Sequence, residues 1–178
     1  MRLTGAIFDL DGTLLDSMFI WDTIGEEYLL RRGITPEPGL NEKFKMMSLV
    51  QAAEYYRAVY RLPESVQTIM DEVNGMIAHF YSDVVPPKDG VPELLARLRS
   101  EGVRMCVATA TDRELVESAL RRSRLLPYFR GILTCTEVGF GKDSPVIFRR
   151  ALELLGTKKS ETLLFEDALH AIETAKAD

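Results

Sequence analysis

Two carboxylates stand close together near the start of the chain, directly after a short apolar run. In the stretch FDLDGT, residues 8–13, Asp9 and Asp11 are two positions apart. Side chains at this spacing on a strand face the same way. Gly12, the next residue, permits a sharp turn. Both carboxylates are therefore expected to project from the end of one strand into any crevice at that edge of the sheet.

Other polar side chains follow further predicted strands. Four short segments are apolar or β-branched and alternate with helical stretches, which predicts a parallel sheet with helices on both faces. The segments are 6–8, 103–108, 131–135 and 162–165. The carboxyl ends of parallel strands meet at one edge, where α/β proteins bind ligands. The side chains expected at this edge are Asp9 and Asp11 after the first strand, Thr109, Thr111 and Asp112 after the second, Lys142 in the loop after the third, and Glu166 and Asp167 after the fourth.

A metal ion is expected among these carboxylates. Three or four of them within a few ångströms repel one another by several kcal/mol at an effective dielectric constant of about 20. A hard divalent cation with oxygen ligands relieves that repulsion. No histidine or cysteine is among the candidate ligands, which favours Mg²⁺ over zinc.

The long interval between the first two strands predicts a helical insert. Apolar stripes at helical spacing follow one another there, and the capping box Ser48-x-x-Gln51 opens one of them. One stripe is Ile20, Ile24 and Tyr28, the second is Leu49, Ala52, Tyr56 and Val59, and the third is Val66, Ile69, Met70, Val73, Ile77 and Phe80. Most of the aromatic residues fall in this interval, so the insert is expected to have a small core of its own.

Composition restricts the class of protein. The chain has 178 residues, a formal net charge of -5 and 46% hydrophobic residues, which is typical of a soluble globular protein. Nucleic acid is not expected as a partner, since phosphate-backbone binding needs clustered cations. No apolar run is long enough to span a membrane, and no secretory pattern is visible, so a cytoplasmic location is expected. Cys106 and Cys135 are expected to be buried free thiols.

The motifs together resemble a known family. FDLDGT, followed by VATAT, GK and LLFED in that order, is similar to the haloacid dehalogenase superfamily, in particular to its members with a helical cap inserted after the first strand. The resemblance implies a Rossmann-like three-layer α/β/α core of residues 1–16 and 88–178 and a cap of residues 17–87. Asp143 and Val146 depart from the family pattern, which has proline and aspartate there.

The resemblance also implies roles for the site residues. Asp9 would be the nucleophile that forms an aspartyl phosphate, and Asp11 would be the general acid and base. Magnesium would be held by the carboxylates of Asp9 and Asp167 and the main-chain carbonyl of Asp11. Thr109 would donate to a phosphoryl oxygen, and Lys142 would offset charge on the transferring group.

Neighbouring residues leave some alternatives open. Thr111 competes with Thr109 for the phosphoryl contact, and it is also expected to open the next helix in a capping box, Thr111-x-x-Glu114. Glu166 is expected to act around the metal, either as a ligand or through a metal-bound water. His79 and His170 are expected to be ordinary helix residues.

The expected function is hydrolysis of a small phosphorylated metabolite by a magnesium-dependent phosphohydrolase. A sugar phosphomutase of the β-phosphoglucomutase type is the alternative enzyme, but such proteins carry histidine, glycine and arginine where this chain has Trp21, Met46 and Leu49. A non-catalytic binding protein is the third possibility. The family usually continues through another strand and helix after the fourth strand, so the chain is expected to be a fragment that lacks the C-terminal part of the usual core.

Overall fold

A four-stranded parallel sheet organises the protein, which is described at residues 3–45 and 47–178 by a computed structural model. The strands are β1 Gly5–Phe8, β2 Arg104–Thr109, β3 Phe129–Thr134 and β4 Thr162–Phe165. Their order across the sheet is β3-β2-β1-β4. Each predicted strand is present, with boundaries that differ by at most two residues. The central strand β1 is buried along its whole length, as its unbroken apolar sequence indicates.

Helices cover both faces of this sheet and fill the interval between β1 and β2. Within that interval lie α1 Met18–Trp21, α2 Ile24–Leu30, α3 Leu40–Phe44, α4 Leu49–Tyr60, α5 Val66–His79 and a π-helical turn, Phe80–Val84. The remaining helices are α6 Val91–Ser100, α7 Arg113–Arg122, α8 Cys135–Val138, α9 Val146–Leu155 and α10 Leu169–Ala177, with 3₁₀ turns at Leu126–Tyr128 and Lys159–Glu161. The three-layer, Rossmann-like α/β/α class predicted from the sequence is confirmed, as is the helical insert.

Local sequence signals explain where the insert helices begin and which side they bury. The Ser48 hydroxyl accepts from the Gln51 amide at 3.2 Å, and the Gln51 side chain accepts from the Ser48 amide at 2.8 Å, so the predicted capping box opens α4. The stripe of α5 is buried at Ile69, Met70, Val73 and Ile77. Val59 is different: it is 47% exposed, so the prediction that it shares the buried face of α4 is wrong.

The insert and the sheet share one apolar core. Buried side chains of the insert, such as Tyr28 and Ile69, belong to the same contiguous cluster as Phe8 and Val107 on one face of the sheet. On the other face, Ile7 and Cys106 pack with α9 and α10 in a second cluster. The expectation of a separate core in the insert is therefore wrong for the part of the chain that the structure describes.

Two short connections join the insert to the rest of the chain, and they run side by side. The Asp16 amide donates to the Pro86 carbonyl at 3.0 Å, and the Lys88 amide donates to the Leu14 carbonyl at 2.9 Å. The chain therefore enters and leaves the insert next to the end of β1.

Both cysteines are buried free thiols, as expected. No helix of the described residues has the length and apolar character needed to cross a membrane.

Candidate active site

The register of the sheet brings the predicted site residues to one edge. Phe8, at the end of β1, lies beside Val107 of β2 and Phe165 of β4. The next residue, Asp9, donates its amide to the Phe165 carbonyl at 2.9 Å. Thr109 therefore ends β2 on one side of Asp9, and Glu166 follows β4 on the other.

Lys142 lies between two buried carboxylates. Its Nζ donates to Asp9 Oδ1 at 2.5 Å and to Glu166 Oε2 at 2.6 Å. None of the three side chains is more than 8% exposed. A charge buried to this degree needs a paired and hydrogen-bonded partner, and here one ammonium serves two carboxylates. The cluster therefore keeps an excess of negative charge.

Burial and charge act in opposite directions on these groups. Burial raises the pKa of Asp9 to about 7, Lys142 opposes that rise, and Glu166 and Asp11 add to it. Burial alone lowers the pKa of Lys142, but the charges of Asp9 and Glu166 outweigh it and raise that pKa above its ordinary value. Lys142 therefore keeps its positive charge at physiological pH.

Asp11 has a different environment, made of hydroxyl groups. Ser17 Oγ donates to Asp11 Oδ1 at 2.5 Å, Tyr81 OH donates to the same oxygen at 2.6 Å, and Thr111 Oγ1 donates to Oδ2 at 2.5 Å. All three hydroxyl-bearing side chains are buried. The carboxylate is thereby fixed in one orientation by groups from the first connection, the π-helical turn and the end of β2.

Sequence reasoning missed Tyr81, which lies 70 residues from Asp11 in the chain. Burial and the nearby Asp11 charge raise the pKa of Tyr81 well above its ordinary value. The phenol therefore stays protonated and acts as the hydrogen-bond donor to Asp11. Trp21 Nε1 in turn donates to Tyr81 OH at 3.0 Å. A signal was present in the sequence, because Tyr81 continues the spacing of Val73 and Ile77, and a buried tyrosine hydroxyl requires a partner.

A group of carboxylate oxygens suits a metal ion. One oxygen each from Asp9, Glu166 and Asp167 lies within 4.8 Å of the other two. Gly12 has φ +79°, and a Cβ at this position would collide with the Asp167 carboxylate, so the glycine makes room for it. Three carboxylates with no nitrogen or sulfur donor fit a hard divalent cation. Binding of that cation through the Asp11 carbonyl stays a prediction.

The two threonines after β2 have distinct contacts. Thr109 is 1% exposed, and its Oγ1 accepts from the Thr111 amide at 3.1 Å. The helix that follows begins after Asp112 without a side-chain cap. The predicted capping box at Thr111 is therefore wrong, because the Thr111 hydroxyl is bonded to Asp11 instead. Both threonines line the same cavity, and the contact of Thr109 with a phosphoryl group stays a prediction.

The cavity has a volume of about 380 Å³ and two unlike walls. We define the floor as the polar residues at the strand ends, which are Asp9, Asp11, Thr109, Thr111, Lys142, Glu166 and Asp167. We define the roof as the apolar and aromatic residues of the insert, which are Trp21, Ile24, Phe44, Met47, Leu49, Ala52, Tyr56 and Val73. His170 of α10 also lines the cavity, although the sequence indicated only an ordinary helix residue. Met46 lies outside the described residues.

Comparison with known proteins agrees with this architecture. The family model described as haloacid dehalogenase-like hydrolase matches residues 6–178. The chain is similar to the phosphorylated carbohydrates phosphatase of Thermotoga maritima, with 26% identity over 98% of this chain and 81% of that protein. It is also similar to the pyrophosphatase PpaX of Bacillus mycoides, with 28% identity over 97% of this chain and 78% of that protein.

A solved structure supports the fold independently. The crystal structure of CbbY from Rhodobacter sphaeroides in complex with phosphate superimposes with a TM-score of 0.85. The alignment covers 98% of this chain and 82% of that one, at 21% identity. At this identity the likeness concerns the fold, and the chemistry must be argued from the site.

Proposed function

Because the chain belongs to the haloacid dehalogenase-like hydrolases, we propose that it is a magnesium-dependent phosphohydrolase that cleaves small phosphomonoesters through an aspartyl phosphate. The observation that carries the proposal is the meeting of Asp9, Asp11, Lys142 and Asp167 around one cavity. They come from the ends of β1 and β4 and from the loop before α9. Phosphatase relatives that align over nearly the whole chain also support hydrolysis of phosphoric monoesters.

In the first half-reaction, an Asp9 carboxylate oxygen attacks phosphorus and the bond from phosphorus to the ester oxygen breaks. Asp11 gives a proton to that oxygen, so the product leaves as a neutral alcohol. The hydroxyls of Ser17, Tyr81 and Thr111 hold Asp11 in one orientation for this transfer. The phosphoryl group is then bonded to Asp9.

In the second half-reaction, water attacks the phosphorus of the aspartyl phosphate. Asp11, now ionised, takes a proton from that water, and the bond from phosphorus to the Asp9 oxygen breaks. Inorganic phosphate leaves, and Asp9 returns as a carboxylate. Asp11 thus serves first as an acid and then as a base. Its carboxyl group must keep its position while its charge changes between the two steps.

Two further groups of the floor stabilise charge on the transferring phosphoryl group. The Lys142 ammonium contacts Asp9 directly and offsets negative charge beside the reacting oxygen. The Thr109 hydroxyl, at the end of β2, would donate to a phosphoryl oxygen. The carboxylates of Asp9 and Asp167, together with the Asp11 carbonyl and either Glu166 or a water that it holds, would bind Mg²⁺. When bound, the ion supplies positive charge for the phosphoryl oxygens.

The insert acts in this proposal as a cap of residues 17–87 over a core of residues 1–16 and 88–178. Two observations support that division. The two connections lie side by side with hydrogen bonds between them, so the insert is joined to the core at one place. The cavity is lined from one side by the core and from the other by the insert. Closure of the cap would exclude water while the phosphoryl group is transferred.

A phosphomutase is less well supported by the same cavity. Such an enzyme must hold and turn a bisphosphate, which needs polar or cationic groups opposite the catalytic carboxylates. This chain places Trp21 and Leu49 in the roof instead. The indole nitrogen of Trp21 is already bonded to Tyr81. Water is therefore the better acceptor for the phosphoryl group.

Released phosphate from a panel of phosphomonoesters tests the proposed function. We expect turnover with Mg²⁺, its loss in EDTA, and its return when Mg²⁺ is restored. Asp9→Asn should lower kcat by about 10⁴-fold or more, because the nucleophile is removed. Asp71→Asn, at an exposed position of α5, should retain full activity as the matched control.

Two results would contradict the proposal. Hydrolysis by Asp9→Asn at a rate near that of the unaltered protein would exclude Asp9 as the nucleophile. Conversion of a sugar monophosphate to its isomer, with no phosphate released, would identify a mutase.

A further inference from the structure

The roof of the cavity has a chemical character that the proposed hydrolysis does not require. It is built from the insert, and it presents aromatic and branched aliphatic side chains to the space opposite the catalytic carboxylates. Ala52, Tyr56 and Val73 are buried on helices α4 and α5, so the apolar surface is part of the packed insert. A bound phosphomonoester with its phosphate on the floor would place its leaving group against this surface.

Polar atoms near the roof are already bonded within the protein. Tyr56 OH donates to the Gly25 carbonyl at 2.6 Å. Trp21 Nε1 donates to Tyr81 OH at 3.0 Å. The Ser48 hydroxyl accepts from the Gln51 amide that it caps. These bonds use the donor hydrogens of Tyr56 and Trp21 and one acceptor site of Ser48, so these groups have a reduced capacity to bind the hydroxyls of a sugar.

One cation lines the upper part of the cavity, and it is paired twice. Lys45 Nζ lies 2.8 Å from Asp22 Oδ1 and 2.8 Å from Glu42 Oε1. Both carboxylates are largely exposed and lie outside the cavity lining, and they offset the charge of Lys45. This ammonium therefore attracts a second phosphate or a carboxylate on the leaving group less than an unpaired cation would.

These observations rest on the proposed function and extend it: we infer that the preferred substrate is a phosphomonoester of an apolar alcohol, with hydrocarbon rather than hydroxyls next to the ester oxygen. The cavity volume of about 380 Å³ accommodates a phosphate with a short carbon chain or a ring. Hydrocarbon of this kind gains by leaving water for the roof, whereas each hydroxyl placed there loses its bonds to water.

Pairs of substrates with equal carbon number test the inference. We would compare kcat/KM for propyl phosphate with that for glycerol 3-phosphate, and kcat/KM for hexyl phosphate with that for sorbitol 6-phosphate. The alkyl member should be favoured at least about tenfold in each pair. Within the alkyl series, each added methylene that is buried should raise kcat/KM by roughly fourfold until the cavity is full. Inorganic pyrophosphate should be a poorer substrate than hexyl phosphate.

A matched pair of variants places the preference in the roof. Val73 lines the cavity, and Val59 is exposed on α4. Val73→Thr adds one hydroxyl with little change of shape, and it should reduce the ratio of alkyl to polyol kcat/KM by roughly three- to tenfold. Val59→Thr should leave that ratio unchanged. Both members of a pair are measured on the same preparation, so a loss of folded Val73→Thr protein cancels in the ratio.

The possible outcomes distinguish a failure of the inferred substrate preference from a failure of the proposed phosphohydrolase function. Equal or better hydrolysis of the polyol phosphates or of pyrophosphate would overturn the inference and leave a phosphohydrolase. An unchanged ratio in Val73→Thr would also overturn it. Failure to hydrolyse any phosphomonoester would overturn the proposed function and the inference together.

Discussion

The floor and the roof of the cavity differ in how their buried side chains are stabilised. On the floor, Asp9, Glu166 and Lys142 are charged groups withdrawn from water, and each has a partner within 2.6 Å. In the roof, side chains such as Val73 and Leu49 carry no charge, and the polar atoms of Tyr56 and Trp21 form hydrogen bonds within the protein. The floor is thus arranged for bond making and breaking, and the roof for contact with hydrocarbon.

This difference indicates how the effects of substitutions should divide. Apart from Asp11, which gives a proton to the leaving oxygen, a floor residue acts on the phosphoryl group, which every substrate shares. Its removal should therefore slow all substrates by a similar factor. A roof residue acts on the leaving group, and its replacement should change the ratio between substrates. Values of kcat/KM for single variants across a panel of substrates test this separation.

The largest effect in this comparison is expected at Lys142, and Lys45, the other lysine of the cavity, is its matched control. Lys142→Met removes the cation between Asp9 and Glu166, and it should lower kcat/KM by about 10²- to 10³-fold for every substrate. Lys45→Met removes a partly exposed cation that is paired with Asp22 and Glu42, and it should change kcat/KM by less than about fivefold. Released phosphate across the substrate panel measures both effects.

A loss in Lys142→Met that differs strongly between alkyl and polyol phosphates would contradict the division of roles. So would a larger loss in Lys45→Met than in Lys142→Met. Thermal unfolding of each variant shows whether the measured protein is folded.

A smaller effect is expected at Tyr81, which joins the insert to the floor. Tyr81→Phe removes one of three hydroxyls that hold Asp11, and it should lower kcat about tenfold with little change in KM. Tyr28→Phe is the matched control: Tyr28 is fully buried and donates to Glu72 at 2.6 Å, away from the cavity. Both variants lose a bond from a buried hydroxyl to a carboxylate.

The steady-state constants and thermal unfolding of these two tyrosine variants distinguish positioning from stability. If Tyr81→Phe and Tyr28→Phe lower kcat equally, Tyr81 has only a structural role. If Tyr81→Phe raises KM and leaves kcat unchanged, it acts on substrate binding rather than on proton transfer by Asp11.

The arrangement of the strand ends could be predicted from the sequence. Asp9, Lys142 and Asp167 each follow a predicted strand or its loop, and parallel pairing alone brings such positions to one edge. The alternation of apolar strands and helices was sufficient to predict the fold class. The boundaries of β1, β2 and β3 differ from the prediction by one or two residues, because the hydrogen-bond register and not the apolar run decides where a strand ends.

The surroundings of Asp11 could not be predicted in the same way. Ser17 lies at the start of the insert and Tyr81 in the π-helical turn near its end, and the position of both residues depends on how the insert packs against the sheet. Local periodicity carries no information about that packing. The same limit explains Val59, which has helical spacing with Tyr56 but is 47% exposed. It also explains Thr111, whose hydroxyl bonds to Asp11 instead of capping α7.

Covalent chemistry at Asp9 is the central claim, and trapping the phosphoryl group tests it most directly. The protein with Mg²⁺ and a hydrolysed phosphomonoester would be quenched in acid during the first turnover, digested, and analysed by mass spectrometry of the peptide that contains FDLDGT. We predict one phosphoryl group on Asp9 that forms and decays with turnover and is missing from Asp9→Asn. Product alcohol released in the same quenched samples without any phosphoryl group on Asp9, or with the group on another residue, would contradict the account.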